Sequence, residues 1–323
     1  MDNVLVLFEA DADFRRELEN MLGGCAFHYT KLDDTSSIGP ETAADTTIIF
    51  GNPGAVFLKQ CKRLKWLQLQ SSGANGFTNG EAGEGVLLTS ATGGYGHAVS
   101  EHMVGLTFEL MKKLHLYRDE QAAIRWQERG KVKSITDSVV VVAGFGDIGS
   151  HYARRMKALG SYIIGVCRTV KTKPEFADEL VISRELETAL PRADVLALAL
   201  PATAETAGFI GRSQLALMKK DAVIINAGRG STIDTEALCD ALEANALGGA
   251  ALDVTDPEPL PKGHRLWKLE NAVITPHVAG FRYMKETGRY VMKINLENTR
   301  RFICGEPLIN MVDPVTGYVC RNS

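Results

Sequence analysis

"VVVVAGFGDIGSHYARRMKALG", Val139 to Gly160, sets Gly144, Gly146 and Gly149 directly behind five apolar residues and at the head of a helical pattern. The spacing is G-x-G-x-x-G, and the strand-turn-helix setting is what gives so short a pattern its meaning. The first glycine permits a tight turn. The second lets backbone come close to a pyrophosphate, and the third lets the helix pack closely on the strand. The helix N-terminus then offers unpaired N–H groups and partial positive charge to phosphates. Gly144, Gly146, Asp147, Ile148 and Gly149 are therefore the candidate residues of a dinucleotide-binding turn.

Outward from this stretch, short apolar runs alternate with amphipathic segments. "YIIGV" (162–166), "VLALAL" (195–200), "AVIINAG" (222–228), "GGAALDV" (248–254) and "AVITPHV" (272–278) read as further strands. Helical patterns start near Ile148, Ser213 and Thr235. Runs buried on both faces with helices between them indicate a parallel sheet. A smaller series precedes it: strands at 4–8, 47–50, 66–70 and 86–90, with helices at 14–22 and 56–64. One long helical pattern joins the two, from near His97 to about Trp126, and another runs from about Tyr283 to Cys304. The fold class expected is α/β in two lobes. Residues 98–281 form the dinucleotide-binding domain, and 1–97 plus 282–323 form a discontinuous substrate domain closed by the tail "PLINMVDPVTGY".

Composition excludes several classes. The 323 residues carry 36 basic against 39 acidic side chains, a net charge of -3, with no basic block for nucleic acid. No window reaches the roughly 18 uncharged apolar residues of a membrane span. The acid-rich start "MDNVLVLFEADADF" has no signal-peptide pattern. Six scattered cysteines read as reduced thiols, so a cytoplasmic protein is expected. His97 and His102 sit five apart, about 140° around a helix, and no cysteine or histidine cluster has zinc spacing, so no metal is expected.

The second strand of a dinucleotide-binding sheet ordinarily ends in an acid, about 20 residues past the glycines, that holds the ribose hydroxyls. Here it ends in Cys167, followed by Arg168, Thr169 and Lys171. A thiol does not repel a 2′-phosphate, and an arginine fork attracts one. NADP(H) is therefore the expected cofactor, with NAD(H) the alternative.

Three later strands also end in polar groups, where open α/β sheets bind ligands. "IINAGRGSTID" exposes Arg229 between two glycines, behind Ala227 and Gly228, with Asp234 as a candidate helix cap. "AALDVTDPEPLP" carries Asp253 at a strand end and Glu258 between Pro257 and Pro259, whose rings limit the local backbone. "VITPHVAG" carries His277 and ends in Gly280. Each has a bland reading alone. Together they put a carboxylate binder, a carboxylate and an imidazole at the ends of successive strands.

In their order and spacing, "GFGDIG", "LPATAETAGFIG", "NAGRGSTIDTEAL", "AALDVTDPEPLP" and "TPHVAG" resemble the D-isomer-specific 2-hydroxyacid dehydrogenases. "LKWLQLQSSGANGF" is similar to that family's substrate loop. The tail and the basic "CRT" resemble its NADPH-using glyoxylate/hydroxypyruvate reductase-like branch. The resemblance implies a Rossmann-type doubly wound parallel sheet inserted into a smaller flavodoxin-like α/β substrate domain. It implies hydride transfer from NADPH to the carbonyl of a 2-oxo acid, giving a D-2-hydroxy acid. Arg229 would grip the substrate carboxylate, His277 would act as acid/base, and Glu258 would hold the His277 ring. Pro201, Thr206, Ala227, Gly228, Asp253 and Gly280 would join the cofactor site, and Gly73 and Ala74 would bind the substrate carboxylate. The sequence departs from the family at the missing ribose acid and at Asn75, where the substrate loop usually has an acid. The family is typically dimeric, so a homodimer is expected, with a small 2-oxo or 2-hydroxy acid as the only other partner. Two alternatives stay open: a dehydrogenase for bulkier 2-oxo acids, and a dinucleotide-sensing regulator on the same fold.

Overall fold

The computed structural model describes residues 2–320 except 79, 170–171 and 281–283. The chain divides into two compact units, Met1–Tyr95 with Lys285–Ser323, and Gly96–Met284. The sequence had put the changes of lobe at 97/98 and 281/282; the second of these falls on residues outside those described.

The first unit holds strands β1 (Asn3–Val6), β2 (Ala26–Tyr29), β3 (Thr46–Phe50), β4 (Trp66–Gln68) and β5 (Leu87–Thr89). Its helices are α1 (Ala12–Met21), α2 (Pro40–Ala44) and α3 (Ala55–Leu58). All strands run parallel in the order β2-β1-β3-β4-β5, which is the flavodoxin-like winding. Apolar side chains fill both faces of the sheet. Leu5, Ile49, Leu67 and Leu69 face one side; Val4, Val6, Ile48 and Trp66 face the other. Asp11 caps α1 by accepting the Phe14 N–H at 2.8 Å, as its position before the apolar run requires. The expected helix at 56–64 stops after Leu58. The chain has to turn there so that Lys65 can donate to the Thr47 carbonyl and start β4 in register.

The second unit contains α4 (Gly96–Lys112), α5 (Leu114–Ala122), β6 (Val139–Ala143), α6 (Asp147–Ala158), β7 (Tyr162–Cys167), β8 (Glu179–Ile182), α7 (Leu186–Ala189), β9 (Val195–Leu198), α8 (Arg212–Ala216), β10 (Val223–Asn226), α9 (Thr235–Glu243), β11 (Gly249–Leu252) and β12 (Ala272–Ile274). The seven parallel strands lie in the order β12-β11-β10-β9-β6-β7-β8. This is a doubly wound sheet whose winding reverses between β6 and β9, the place where such sheets bind ligands. The expected single helix over 97–126 is two helices. Lys113 adopts a left-handed conformation (φ 58°) between them, and its Nζ reaches the Arg129 carbonyl on the returning segment. Buried Tyr152 of α6 and Thr107 of α4 share a hydroxyl hydrogen bond of 2.8 Å, which locks these two helices together.

The last helix, α10 (Lys285–Cys304), belongs to the first unit. Asn298 on it donates to Gln68 Oε1 at 2.8 Å and accepts from the Ile309 N–H at 2.8 Å. Thr89 donates to the same Gln68 oxygen and accepts from Trp66 Nε1. A buried chain of side-chain hydrogen bonds thus ties helix, tail and sheet, and Met311 pairs with Thr89 beside β5. Among the described residues no helix is long and apolar enough to cross a membrane.

Candidate active site

The carboxyl ends of β6, β9, β10, β11 and β12 line one edge of the second sheet in neighbouring positions. At about 4.8 Å per strand step this edge extends about 19 Å. The glycine turn stands at one end of it and His277 at the other.

At the turn, Gly144 has φ +93°, and a Cβ there would lie 2.5 Å from the Ala199 carbonyl oxygen on β9's extension. A Cβ at Gly149 would run into the Gly144 carbonyl. Both glycines are demanded by the fold itself. Gly146 differs: it is exposed, and a Cβ on it would meet nothing within 4 Å. It is also the N-cap of α6 and, having no side chain, supplies no side-chain cap to that helix. Asp147 follows, but its carboxylate lies 3.6 Å from His151 Nε2 on the next turn of the same helix. Ile148 is half-buried behind it.

Beside the turn, Thr206 closes its own loop. Its hydroxyl donates to the Pro201 carbonyl at 2.6 Å and accepts from the Thr203 N–H. Next along the edge, the Arg229 turn is templated by Asn226, a buried residue that the sequence reading passed over. Its side-chain oxygen accepts from the Gly228 N–H and its amide donates to the Arg229 carbonyl, each at 3.0 Å. A Cβ on Gly228 would lie 2.7 Å from the Leu200 nitrogen, and one on Gly230 would strike the Thr255 carbonyl group. Arg229 is therefore held between two backbone segments that leave no room for flanking side chains. Ala227 is buried beneath it.

Glu258 Oε1 and His277 Nδ1 are 2.6 Å apart, and both side chains are about half exposed. His277 sits at φ 54°, a left-handed conformation that non-glycine residues rarely take. Asp253 holds it there. The Asp253 carbonyl accepts the His277 N–H at 2.8 Å, Oδ1 accepts from Val278 N–H at 3.0 Å, and Oδ2 accepts from Ala279 N–H at 3.2 Å. Gly280 ends the described part of this turn.

On the other side of the switch point, Cys167 is buried at the end of β7, and Arg168 and Thr169 are exposed beyond it. Lys171 lies outside the described residues. The structure adds an edge strand here: β8 pairs Ile182 with Cys167, and Ser183 donates to the Cys167 carbonyl at 3.2 Å. Exposed Arg184 follows directly. Gly73 and Ala74 belong to the first unit, in the loop after β4. There Ser71 donates to the Gly73 carbonyl at 2.6 Å, and Ala74 is buried in the apolar core.

The profile of the D-isomer specific 2-hydroxyacid dehydrogenase family, NAD binding domain, matches residues 104–279. This chain belongs to that family. The enzyme is 31% identical over 260 residues to a glycerate dehydrogenase from Methylorubrum extorquens, covering 77% of this chain and 79% of that protein. It is 30% identical over 300 residues to glyoxylate/hydroxypyruvate reductase B from Pectobacterium carotovorum, covering 89% and 92%. Its backbone matches the crystal structure of a family member from Xanthobacter autotrophicus in complex with NADPH and MES, with a TM-score of 0.81 and 26% identity over 98% of this chain and 100% of that one. The enzyme is thus an NAD(P)-dependent oxidoreductase of 2-hydroxy acids, and its cofactor is a nicotinamide dinucleotide.

Proposed function

We propose that the enzyme reduces a small 2-oxo acid of the glyoxylate or hydroxypyruvate type to the D-2-hydroxy acid, using NADPH. The observation that carries this reading is the 2.6 Å Glu258–His277 pair, two strands from Arg229 on the edge that begins at the glycine turn. The helix N-terminus of α6, capped by a glycine without a side chain, and the open space over Gly146 suit a diphosphate. When bound, the cofactor supplies the hydride.

The chain's residues do the rest. Arg229 holds the substrate carboxylate in a two-pronged hydrogen bond and polarises the adjacent carbonyl. His277 has Nδ1 committed to Glu258, which leaves Nε2 to give the proton to the carbonyl oxygen. The Glu258 carboxylate fixes the ring and offsets its positive charge while the proton is held. In the reverse direction the same nitrogen takes the proton back. Gly144, Gly146, Ile148, Gly149, Pro201, Thr206, Ala227, Gly228, Asp253 and Gly280 make up the floor of the cofactor site, and Gly73 and Ala74 the substrate loop. Asp147 joins them at the head of α6, its carboxylate 3.6 Å from His151 Nε2 on the same helix.

The preference for NADPH is assigned to Arg168 with Thr169 and Lys171, since no carboxylate stands at the end of β7 to repel a 2′-phosphate. The NADPH in the Xanthobacter relative supports this. We further propose a homodimer in the cytoplasm. Ile124 and Trp126, both fully exposed, offer apolar surface for a second copy, and no disulfide joins the described cysteines.

The test is nicotinamide oxidation with NADPH and with NADH against glyoxylate, hydroxypyruvate, pyruvate and phenylpyruvate. Strong NADPH preference that falls about 10-fold or more in Arg168→Ala is expected. Equal use of both cofactors would remove the 2′-phosphate reading. Turnover of phenylpyruvate alone would shift the substrate class to bulky acids.

A further inference from the structure

We propose that His102 on α4 is a positioning residue for His277, acting through Thr275 and Asp253. The inference rests on the role given to His277 above. His102 Nε2 lies 3.0 Å from Thr275 Oγ1 and 3.5 Å from Asp253 Oδ1. Thr275 Oγ1 in turn donates to Asp253 Oδ1 at 2.6 Å.

The hydroxyl has one proton and gives it to the carboxylate, so it presents a lone pair to His102. Nε2 of His102 is therefore the protonated ring nitrogen. The chain of donors runs in one direction, from His102 to Thr275 to Asp253. Asp253 is 2% exposed; its carboxylate also accepts the backbone N–H groups of Val278 and Ala279, its carbonyl accepts the His277 N–H, and its own N–H donates to the Asn226 carbonyl. The left-handed turn that aims His277 at Glu258 thus hangs on a buried carboxylate whose own rotamer is set by Thr275 and His102.

The charged neighbour of His102 on its own helix is engaged elsewhere. Glu101, next to it on α4, pairs with Arg155 at 3.0 Å. Without the His102 N–H on its lone pair, the Thr275 hydroxyl is no longer oriented, and the buried Asp253 carboxylate loses the donor that fixes its rotamer. The turn at 277–279 would then lose one anchor while the fold around it stayed intact.

His102→Leu removes the donor and keeps the bulk. His102→Gln places an amide N–H close to where Nε2 stands. Thr275→Val breaks the next link independently. Three readouts are taken on the full chain: kcat with glyoxylate, NADPH affinity by fluorescence, and the imidazole nitrogen resonances of His277. We expect kcat to fall about 10-fold in His102→Leu and in Thr275→Val, and no further in the double variant. NADPH affinity should stay within about 2-fold, and His102→Gln should recover most of kcat. The His277 resonances should move in His102→Leu and return in His102→Gln.

Full kcat in a less stable His102→Leu would reduce His102 to a packing residue and overturn the proposal. Equal damage from His102→Gln would do the same. If the parent turns over no 2-oxo acid, the reading of the active site fails on its own. The His277 resonances then decide the positioning claim without catalysis.

Discussion

The glycine turn allows a test in which two neighbouring alanine substitutions must fail in different ways. At Gly144 a Cβ would stand 2.5 Å from the Ala199 carbonyl oxygen, and the residue sits at φ +93°. Ordinary contact begins near 3.4 Å, so about 0.9 Å of overlap has to be relieved against backbone in the middle of a sheet. Overpacking of this kind costs about 1–3 kcal/mol, and left-handed backbone adds about 1–2 kcal/mol. Gly144→Ala should therefore lose about 3 kcal/mol, which for a unit of this size lowers Tm by about 6–12 °C.

Gly146→Ala meets no atom within 4 Å, so the fold should lose at most about 1 kcal/mol from the poorer N-cap. If a diphosphate approaches the backbone there, the methyl group blocks it, and Kd for NADPH should rise about 10–100-fold, or about 1.4–2.8 kcal/mol. Thermal unfolding without cofactor reads the first effect, and fluorescence titration with NADPH reads the second. Unchanged NADPH affinity in Gly146→Ala would refute the placement of the diphosphate over α6.

Three further outcomes are expected. Arg229→Lys keeps the charge but loses the planar fork, so kcat/KM for the 2-oxo acid should fall about 100-fold at unchanged NADPH affinity; a loss of cofactor binding instead would move Arg229 out of the substrate site. Asn226→Ala removes the amide that joins Gly228 to Arg229, and it should cost about 1–3 kcal/mol in urea unfolding and impair kcat/KM as well. A stable and fully active variant would show that the glycines alone shape the turn. Burial lowers the pKa of His151 below the ordinary value of about 6.5, aided by His97, Arg155 and Arg154 against an upward pull from Asp147. The unfolded chain takes up this proton first as pH falls, so its contribution to stability is complete above about pH 6.5 and declines below it. The fall in Tm between about pH 7 and 5 should be shallower in His151→Gln, and an identical slope would exclude His151 as a source of acid sensitivity.

Much of this protein could be read from order along the chain. Short continuous apolar runs, helical spacing between them and glycines after "VVVVA" are local properties, and they suffice to indicate parallel sheets wound with helices. Arg229, Glu258 and His277 were visible because each follows a strand, and parallel strands deliver their ends to one edge. The edge strands β2, "AFHY", and β8, "ELVI", were missed. Each is four residues long, half-buried and paired on one side only, so neither shows the apolar run of a central strand.

The break at Lys113 was missed for a different reason: a left-handed lysine leaves no mark on helical periodicity. What only the tertiary structure decided is the wiring behind the site. Asn226 became a turn template through two hydrogen bonds that depend on how the chain bends after β10. Asp253, expected in the cofactor site, also holds the backbone of the His277 turn. His102 meets Thr275 across 173 residues of sequence. Hydrogen bonds between such distant residues follow from strand order and helix packing, and no short-range pattern in a chain encodes them.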